Sequence, residues 1–416
     1  MPNRKSICIL SLSPIATDGR VLRQIEYLVP HYDLTVITYG PAHPAWAQHP
    51  NIRWVLLPRP RSETPTVELL KKADVVNLAV RSVAIMQRVA FRASLYVGKH
   101  LPAAYGLGYT VRWGLLPQLD RALAVRHDAF HANDWNTLQI AAQAAAKHQA
   151  RFVVDLHEYA PLEFENRSDW GLFEPMIRYM IAEHATKADA VMTVASAIAE
   201  RYEQEFKLKK VMVVLNAPEY VAPPPTTFDP HHIRLAHHGV ATPFRQPDVM
   251  IRALALADER YTLHLMLMPS PYIQELKKLA DEIAPGRVFF DNPVPPEKIV
   301  PTIAQYDVGF NFIAPTNYNY LVCLPNKFFE SLNAGLAICT GPSPSMAEIV
   351  QKYQCGVVAN SFEPQDLAAV LNATTAEQWQ AMQQGARAAA KELNAAQEMN
   401  KVVQLYQRLF AEQATG

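Results

Sequence analysis

LPNKFFESLNAGLAICTG, running from Leu324 to Gly341, reads as a short helix followed by a buried strand. Pro325 suits the first position of a helix, where its missing N–H is not needed. Gly335 suits the far end, and LAICT then reads as an apolar strand. Lys327 and Glu330 stand three apart and share a face, with Asn326 beside them at the N-terminal end. Phe328, Phe329 and Leu332 form the packing side. A helix start offers unpaired N–H groups to an anion, and a carboxylate one turn on can hold vicinal hydroxyls. That combination describes a site for a nucleotide diphosphate with its ribose. An amphipathic helix with a surface Lys–Glu pair accounts for the same pattern without a ligand.

Bulk properties fit a soluble enzyme. The 416 residues leave room for two or three domains. The 39 basic and 39 acidic residues balance, so no global field points to nucleic acid. Cys8, Cys323, Cys339 and Cys355 show no C-x-x-C spacing and fit buried thiols of a reducing cytoplasm. The opening MPNRKSICILSLSP is too short an apolar run for a signal peptide and reads as a first strand. No run reaches the roughly 18 apolar residues of a membrane span. The expected location is cytoplasmic, with a peripheral association on the inner membrane face considered below.

Strands and helices alternate twice over. Apolar strands are expected at Ser6–Leu12, Leu34–Tyr39, Ile52–Leu57, Ala129–Asn133, Phe152–His157, Ala190–Val194 and Val211–Leu215. Asn216–Pro230 carries five prolines in fifteen residues and reads as a linker. Strands resume at Ile233–His238, Thr262–Met268, Val288–Asp291, Val308–Ile313, Ala337–Thr340 and Val357–Ala359. The fold class is therefore α/β, with two doubly wound Rossmann-like domains. The expected division is residues 1–215, the linker 216–230, residues 231–394, and a last helix in 395–416.

Two rivals are disfavoured. No G-x-G-x-x-G follows a strand, as a nicotinamide dehydrogenase requires; Gly106–Leu107–Gly108 lies in a helical basic stretch and lacks the third glycine. No D-x-D occurs, as a metal-dependent transferase of the other common fold needs. HHIRLAHH, His231–His238, alternates as a strand does, and no metal site or cofactor is expected.

Leu324–Gly341 resembles the nucleotide-sugar signature of the retaining GT-B glycosyltransferases of family 4, usually E-x7-E. The resemblance makes Glu330 the glutamate that grips the donor ribose. The family's first glutamate, which contacts the transferred sugar, is replaced by Val322, and a minority N-K-x-F-E branch shares this pattern. The resemblance extends from Ile7 to about Leu409, in four further places. In SPIATDGRVLRQIEYL, Asp18 and Gly19 occupy the loop where the family brings backbone N–H groups to the donor diphosphate; an ordinary turn with Asp18 as helix cap is the alternative. HANDWNTL resembles H-x-x-D-x-x-T-L, placing His131 and Asp134 toward the acceptor side, or else as turn and cap. In VVDLHEYAP, His157 ends a buried strand, where ligands of open sheets bind. The family's histidine here touches the donor sugar or phosphate. Glu158 either orients an acceptor hydroxyl or caps the next helix. AHHGVATPFRQPDVMIRAL matches G-R-x-x-x-x-K-G, with Gly239 kept, Val240 at the arginine position and Arg245 at the lysine position. Lys327 is then the local substitute for the missing cation, unless it is a surface lysine.

The resemblance implies a GT-B fold facing across a cleft, with residues 1–215 on the acceptor side and residues 231–394 binding the nucleotide sugar. Domain closure about the linker and a last helix crossing back to the first domain also follow from it. The implied activity is transfer of a sugar, from a UDP-sugar on family frequency, to a glycan or lipid-linked acceptor with retention. The leaving phosphate itself would help deprotonate the acceptor. His157, Arg245 and Lys327 are the expected catalytic groups, and Asn317 and Asn319 the expected substitutes at the donor sugar. A GT-B module without catalysis, or a nucleotide-sugar epimerase or hydrolase, are the alternatives. Finally, Arg81–Arg126 holds seven lysines or arginines against one acid, Asp120, among apolar and aromatic residues. Such a stretch suits an anionic membrane surface, or else core-facing helices with solvated arginines.

Overall fold

Ile7, Cys8, Ile9 and Leu10 are all buried, as a strand covered by helices on both faces requires. The computed structural model describes residues 4–15, 18–57, 75–113, 115–223 and 227–415. Residues 224–226 of the linker, residues 16–17 and the side chain of Arg81 lie outside the described residues. The first sheet contains β1 (Ser6–Pro14), β2 (Asp33–Tyr39), β3 (Ile52–Leu57), β4 (Ala129–Asn133), β5 (Arg151–Leu156), β6 (Ala190–Thr193) and β7 (Met212–Val213). They run parallel in the order β3-β2-β1-β4-β5-β6-β7. The second contains β8 (Ile233–Val240), β9 (Tyr261–Met268), β10 (Val288–Asp291), β11 (Val308–Phe310), β12 (Ala337–Thr340) and β13 (Gly356–Val358). Its parallel order, β10-β9-β8-β11-β12-β13, repeats the first. The strand direction of winding therefore reverses between β1 and β4, and again between β8 and β11. In open α/β sheets, ligands bind outside the carboxyl ends at such points.

The chain forms two compact units, Met1–Thr193 with Ala199–Val213 and Val402–Gly416, and Val194–Ile198 with Val214–Lys401. The final helix, Ala395–Thr415, thus contributes its last turns to the first unit. There Tyr406 Oη lies 2.9 Å from His131 Nδ1, and Arg151 Nε donates to the Leu409 carbonyl at 3.1 Å. The first residues of the expected linker are strapped to the second unit. Asn216 Nδ2 donates to Asn326 Oδ1 at 3.0 Å, and the Val221 N–H donates to Asn333 Oδ1 at 3.0 Å.

The helix Asn326–Asn333 begins one residue later than its sequence suggests. Pro325 is the cap, with ψ 152°, because its own backbone is still extended. Gly335 has φ +75°, and its N–H and that of Leu336 close back on Leu332 and Ser331. This is the left-handed termination that glycine permits. Phe328, Phe329 and Leu332 are buried.

One buried ion pair ties the first unit together. Arg20 donates through Nε and Nη2 to both oxygens of Asp155, each at 2.7 Å, and Gln24 Nε2 donates to the same carboxylate. Burial alone would raise the Asp155 pKa, but the Arg20 charge overcomes it and holds it at about 2. Asp155→Ala is expected to destabilise the protein by about 3–5 kcal/mol, because it strands the Arg20 guanidinium in the interior. Urea unfolding measures this; a loss below about 1 kcal/mol would mean the pair is not buried in solution.

Candidate functional site

The carboxyl end of β8 reads His237–His238–Gly239–Val240. Gly239 has φ +122°, a conformation that side chains resist, and a Cβ there would lie 3.5 Å from Lys327 Nζ. Lys327 is only 7% exposed, so it is not the surface lysine that the helix pattern also allows. Its Nζ lies 3.0 Å from His237 Nε2. The other ring nitrogen of His237, Nδ1, lies 2.8 Å from the Phe310 carbonyl. A carbonyl only accepts, so Nδ1 carries the proton and Nε2 accepts from the lysine. Burial, and then the Lys327 charge, push the His237 pKa well below that of a free imidazole. Burial, and then the charge of Arg245, pull Lys327 down to about 7, against smaller opposing effects of Cys323 and Glu330.

One turn along, Glu330 Oε2 lies 2.7 Å from His238 Nε2. The carboxylate remains partly exposed, with its second oxygen available. Arg245 ends the short turn Pro243–Arg245 and lies over the Tyr320 ring at 5.8 Å. Among the described residues no carboxylate pairs with its guanidinium. Val240, in the expected arginine position, is 48% exposed, whereas Val322 is buried. Asn326 sits at the helix start with its Oδ1 engaged by Asn216. Asn317 caps the helix Tyr318–Val322, its Oδ1 accepting from the Tyr320 N–H at 2.7 Å, and only its NH2 group remains for a ligand. Asn319 is buried.

The first unit gathers a second group at the carboxyl ends of β4 and β5. His157 stands 3.7 Å from both Asp134 and Asp155, with Nε2 3.4 Å from Asn133 Oδ1. Asp134 has φ 70° and ψ 163°, a backbone region nearly confined to glycine and a mark of stored strain. Its carboxylate caps the following turn at Trp135, and burial raises its pKa. Glu158 is pushed up to about 7 by burial and by Asp134, and Glu163 to about 8 by burial, Asp134 and Glu158.

Two expected roles change. His131 is fully buried and bonded to Tyr406, so it cannot meet an acceptor; burial lowers its pKa to about 4. Asp18 is the cap of the helix Gly19–Leu28, accepting from the Val21 N–H at 3.2 Å and from Ser13 Oγ at 2.6 Å. Its carboxylate fills the helix start that a diphosphate would need, leaving only the backbone beside Gly19 for that purpose. Among the described residues no three His, Cys, Asp or Glu side chains come together to hold a metal ion.

Residues 20–217 match Glycosyltransferase Family 4. No curated protein sequence matches the chain. Solved structures with the same fold span nearly all of it. HepE of Anabaena, crystallised with UDP-glucose, is 15% identical, with 97% of this chain and 99% of that chain covered and a TM-score of 0.63. Sucrose-phosphate synthase of Thermosynechococcus elongatus is 14% identical over 98% of this chain and 100% of that one, with a TM-score of 0.66. WaaG, a glycosyltransferase of lipopolysaccharide biosynthesis, is 13% identical over 96% and 98%, with a TM-score of 0.56. The fold is GT-B.

Beyond the Family 4 signature, sequence reasoning passes over His237, His238, the Arg20–Asp155 pair and Glu163. The signal for the histidines was present, since an imidazole at the carboxyl end of a buried strand is what marks His157. The strand-like alternation of HHIRLAHH explained them sufficiently without a site. Gly239→Ala is expected to lower stability by about 1–3 kcal/mol through its left-handed backbone. Gly171→Ala, on a helix with nothing within 4 Å of the new Cβ, is the control and should gain about 0.5–1 kcal/mol. Urea unfolding of the two variants checks both signs.

Proposed function

We propose that the chain is a retaining glycosyltransferase that moves a sugar from a UDP-sugar to a hydroxyl of a glycan or lipid-linked acceptor, in surface polysaccharide synthesis and without a metal. The observation that carries this reading is the pairing of Arg245 with Lys327 beside Gly239 at the reversal point of the second sheet. A departing diphosphate needs its developing charge met by preorganised donors in a water-poor site. Arg245 supplies a guanidinium with no carboxylate partner among the described residues, and Lys327 supplies the second cation where Val240 has none. Glu330 holds the ribose through its free oxygen. UDP is favoured as the nucleotide because the HepE structures hold UDP and UDP-glucose. Val322 offers no hydrogen bond to the transferred sugar, so a deoxy or acylamino sugar, or contact with the Asn317 amide, suits the site better than a glutamate-bound hexose. On the acceptor side, His157 and the partly protonated Glu158 are the groups to orient the incoming hydroxyl.

A second element of the reading concerns the acceptor's setting. The helix Val75–Val97 leaves Ile85, Val89 and Tyr96 exposed at 58, 63 and 61%, and Leu101 before the helix Ala103–Arg112 and Leu107 on it are exposed at 60 and 69%. Phe91 and Leu95, on the opposite face, are buried. Ile85, Val89 and Tyr96 share one helix face by their spacing, and large apolar side chains exposed together mark an interaction surface. The Arg81–Arg126 stretch carries seven bases and one acid, which complements an anionic lipid surface. No described helix is long and apolar enough to cross a membrane, so docking would be peripheral and would suit a lipid-linked acceptor.

Turnover assays with a panel of UDP-sugars, with and without acceptor, test the activity. An inactive binding module would turn over nothing, and an epimerase would need no acceptor. Arg245→Ala is expected to lower turnover on the order of 100-fold with every donor. Glu330→Ala should lose about 1.5–3 kcal/mol of UDP affinity by calorimetry, the range for hydrogen bonds to a charged group. Unchanged values in both variants would move the donor site elsewhere.

Vesicle co-sedimentation tests the docking face. Binding is expected to phosphatidylglycerol vesicles and not to phosphatidylcholine, and should weaken about fivefold for each of Arg92→Glu and Lys99→Glu. Equal binding to both lipids, or self-association lost on Val89→Ser, would overturn a membrane partner.

A further inference from the structure

His237 and His238 are consecutive residues, both nearly buried, that reach the two donor contacts of one helix. His237 Nε2 meets Lys327 Nζ at 3.0 Å, and His238 Nε2 meets Glu330 Oε2 at 2.7 Å. His237 and His238 are 5 and 6% exposed, and each is bonded to the side chain it holds. We propose that His237 and His238 are positioning residues for the donor, and that Lys327, buried against His237 and close to Arg245, takes up a proton from solvent when the donor binds. This rests on the reading of Lys327 and Glu330 as donor contacts.

The argument for proton uptake starts from the tautomer. Phe310 fixes the proton on His237 Nδ1, so the nitrogen facing Lys327 is a lone pair. A lone pair accepts a hydrogen bond from an ammonium or from a neutral amine, so the empty site does not require a charged lysine. The charged groups around Lys327 Nζ are Arg245 on the Pro243–Arg245 turn, Glu330 on the same helix and Cys323 before it, with His237 on β8. The repulsion from Arg245 and the burial together outweigh the attraction of Glu330, and Lys327 sits at about 7. An arriving diphosphate reverses that balance, because its negative charge favours the ammonium. Nothing but a proton needs to be supplied: the amine gains it from buffer as the anion binds. His238 acts differently. Its Nε2–H fixes one oxygen of Glu330, which leaves the other aimed for a hydroxyl pair.

Calorimetric titration of UDP into the protein in phosphate, HEPES and Tris buffers reads the uptake directly, since the apparent enthalpy varies with buffer ionisation. Near one proton is expected at about pH 8, and close to none at about pH 6, where Lys327 is already charged. Lys327→Arg, permanently charged, should bind UDP with no uptake at either pH. His238→Gln, which keeps an N–H toward Glu330, should hold the donor KM within about threefold, whereas His238→Leu should raise it about tenfold at unchanged kcat. His237→Gln, which keeps an acceptor for Lys327, should likewise rescue the loss in His237→Leu. UDP binding that depends on Lys327 but takes up no proton at about pH 8 would overturn the proton coupling alone. Binding insensitive to Lys327→Gln would overturn the donor-site reading itself, and the positioning roles with it.

Discussion

The hydrogen bond from His237 Nδ1 to the Phe310 carbonyl joins β8 to β11, the two strands between which the second sheet reverses. Strand connections leave a reversal point in opposite directions, and the loops diverge there to open a crevice at the carboxyl ends. A crevice of that kind exposes polar backbone that neighbouring strands would otherwise shield. Phe310 is the last residue of β11, so its carbonyl lies where the ladder stops. It accepts from the Phe312 N–H at 3.2 Å and from the imidazole, which fixes which ring nitrogen points back toward the helix Asn326–Asn333. Gly239, immediately after the histidines, then lets the chain turn away without a side chain between backbone and Lys327. The site is built from the sheet upward rather than from loops alone.

The two reversal points handle buried charge in opposite ways. In the first unit Asp155 is matched by Arg20 and further bonded to Gln24. Charge and geometry are both satisfied internally, and the pair can hold strands and helix together but has little left for a ligand. In the second unit Lys327 faces a neutral imidazole and lies within reach of a like charge, Arg245. That arrangement contributes little to stability and leaves positive potential unmatched, which suits a site that receives an anion. The contrast separates a structural cluster from a receptive one without reference to any relative.

Much of this was legible in the sequence. Short continuous apolar runs located the strands, and the helix Asn326–Asn333 was marked by Pro325 and Gly335 at its ends. What the sequence could not show is which polar residues are turned inward. Lys327 and Glu330 look alike on a helix pattern, yet one is buried against His237 and the other reaches the surface beside His238. Asp18 and His131 are each engaged within the chain. A carboxylate at a helix start satisfies the local N–H groups first, and His131 lies under a helix that begins 264 residues later, at Ala395. No local pattern carries a contact of that separation. His157 lies at the carboxyl end of β5, as the sequence suggests, because that signal is local: it follows directly on a buried strand.

That distant helix also changes how the matched segment, residues 20–217, should be understood. The match ends at residue 217, but the first unit is completed by Val402–Gly416. Tyr406 packs against Tyr32 and Phe410 as well as bonding His131, and Leu409 accepts from Arg151. His131 is central in β4 and has no exposed surface. Without Tyr406, its Nδ1 would be a buried polar atom with no partner, and its Nε2 already has none among the described residues. Leaving such groups unpaired costs about 1–3 kcal/mol each. The first unit is thus discontinuous for an energetic reason, since the strand that carries Asn133 and Asp134 to the carboxyl edge depends on a residue supplied after the second unit has been completed.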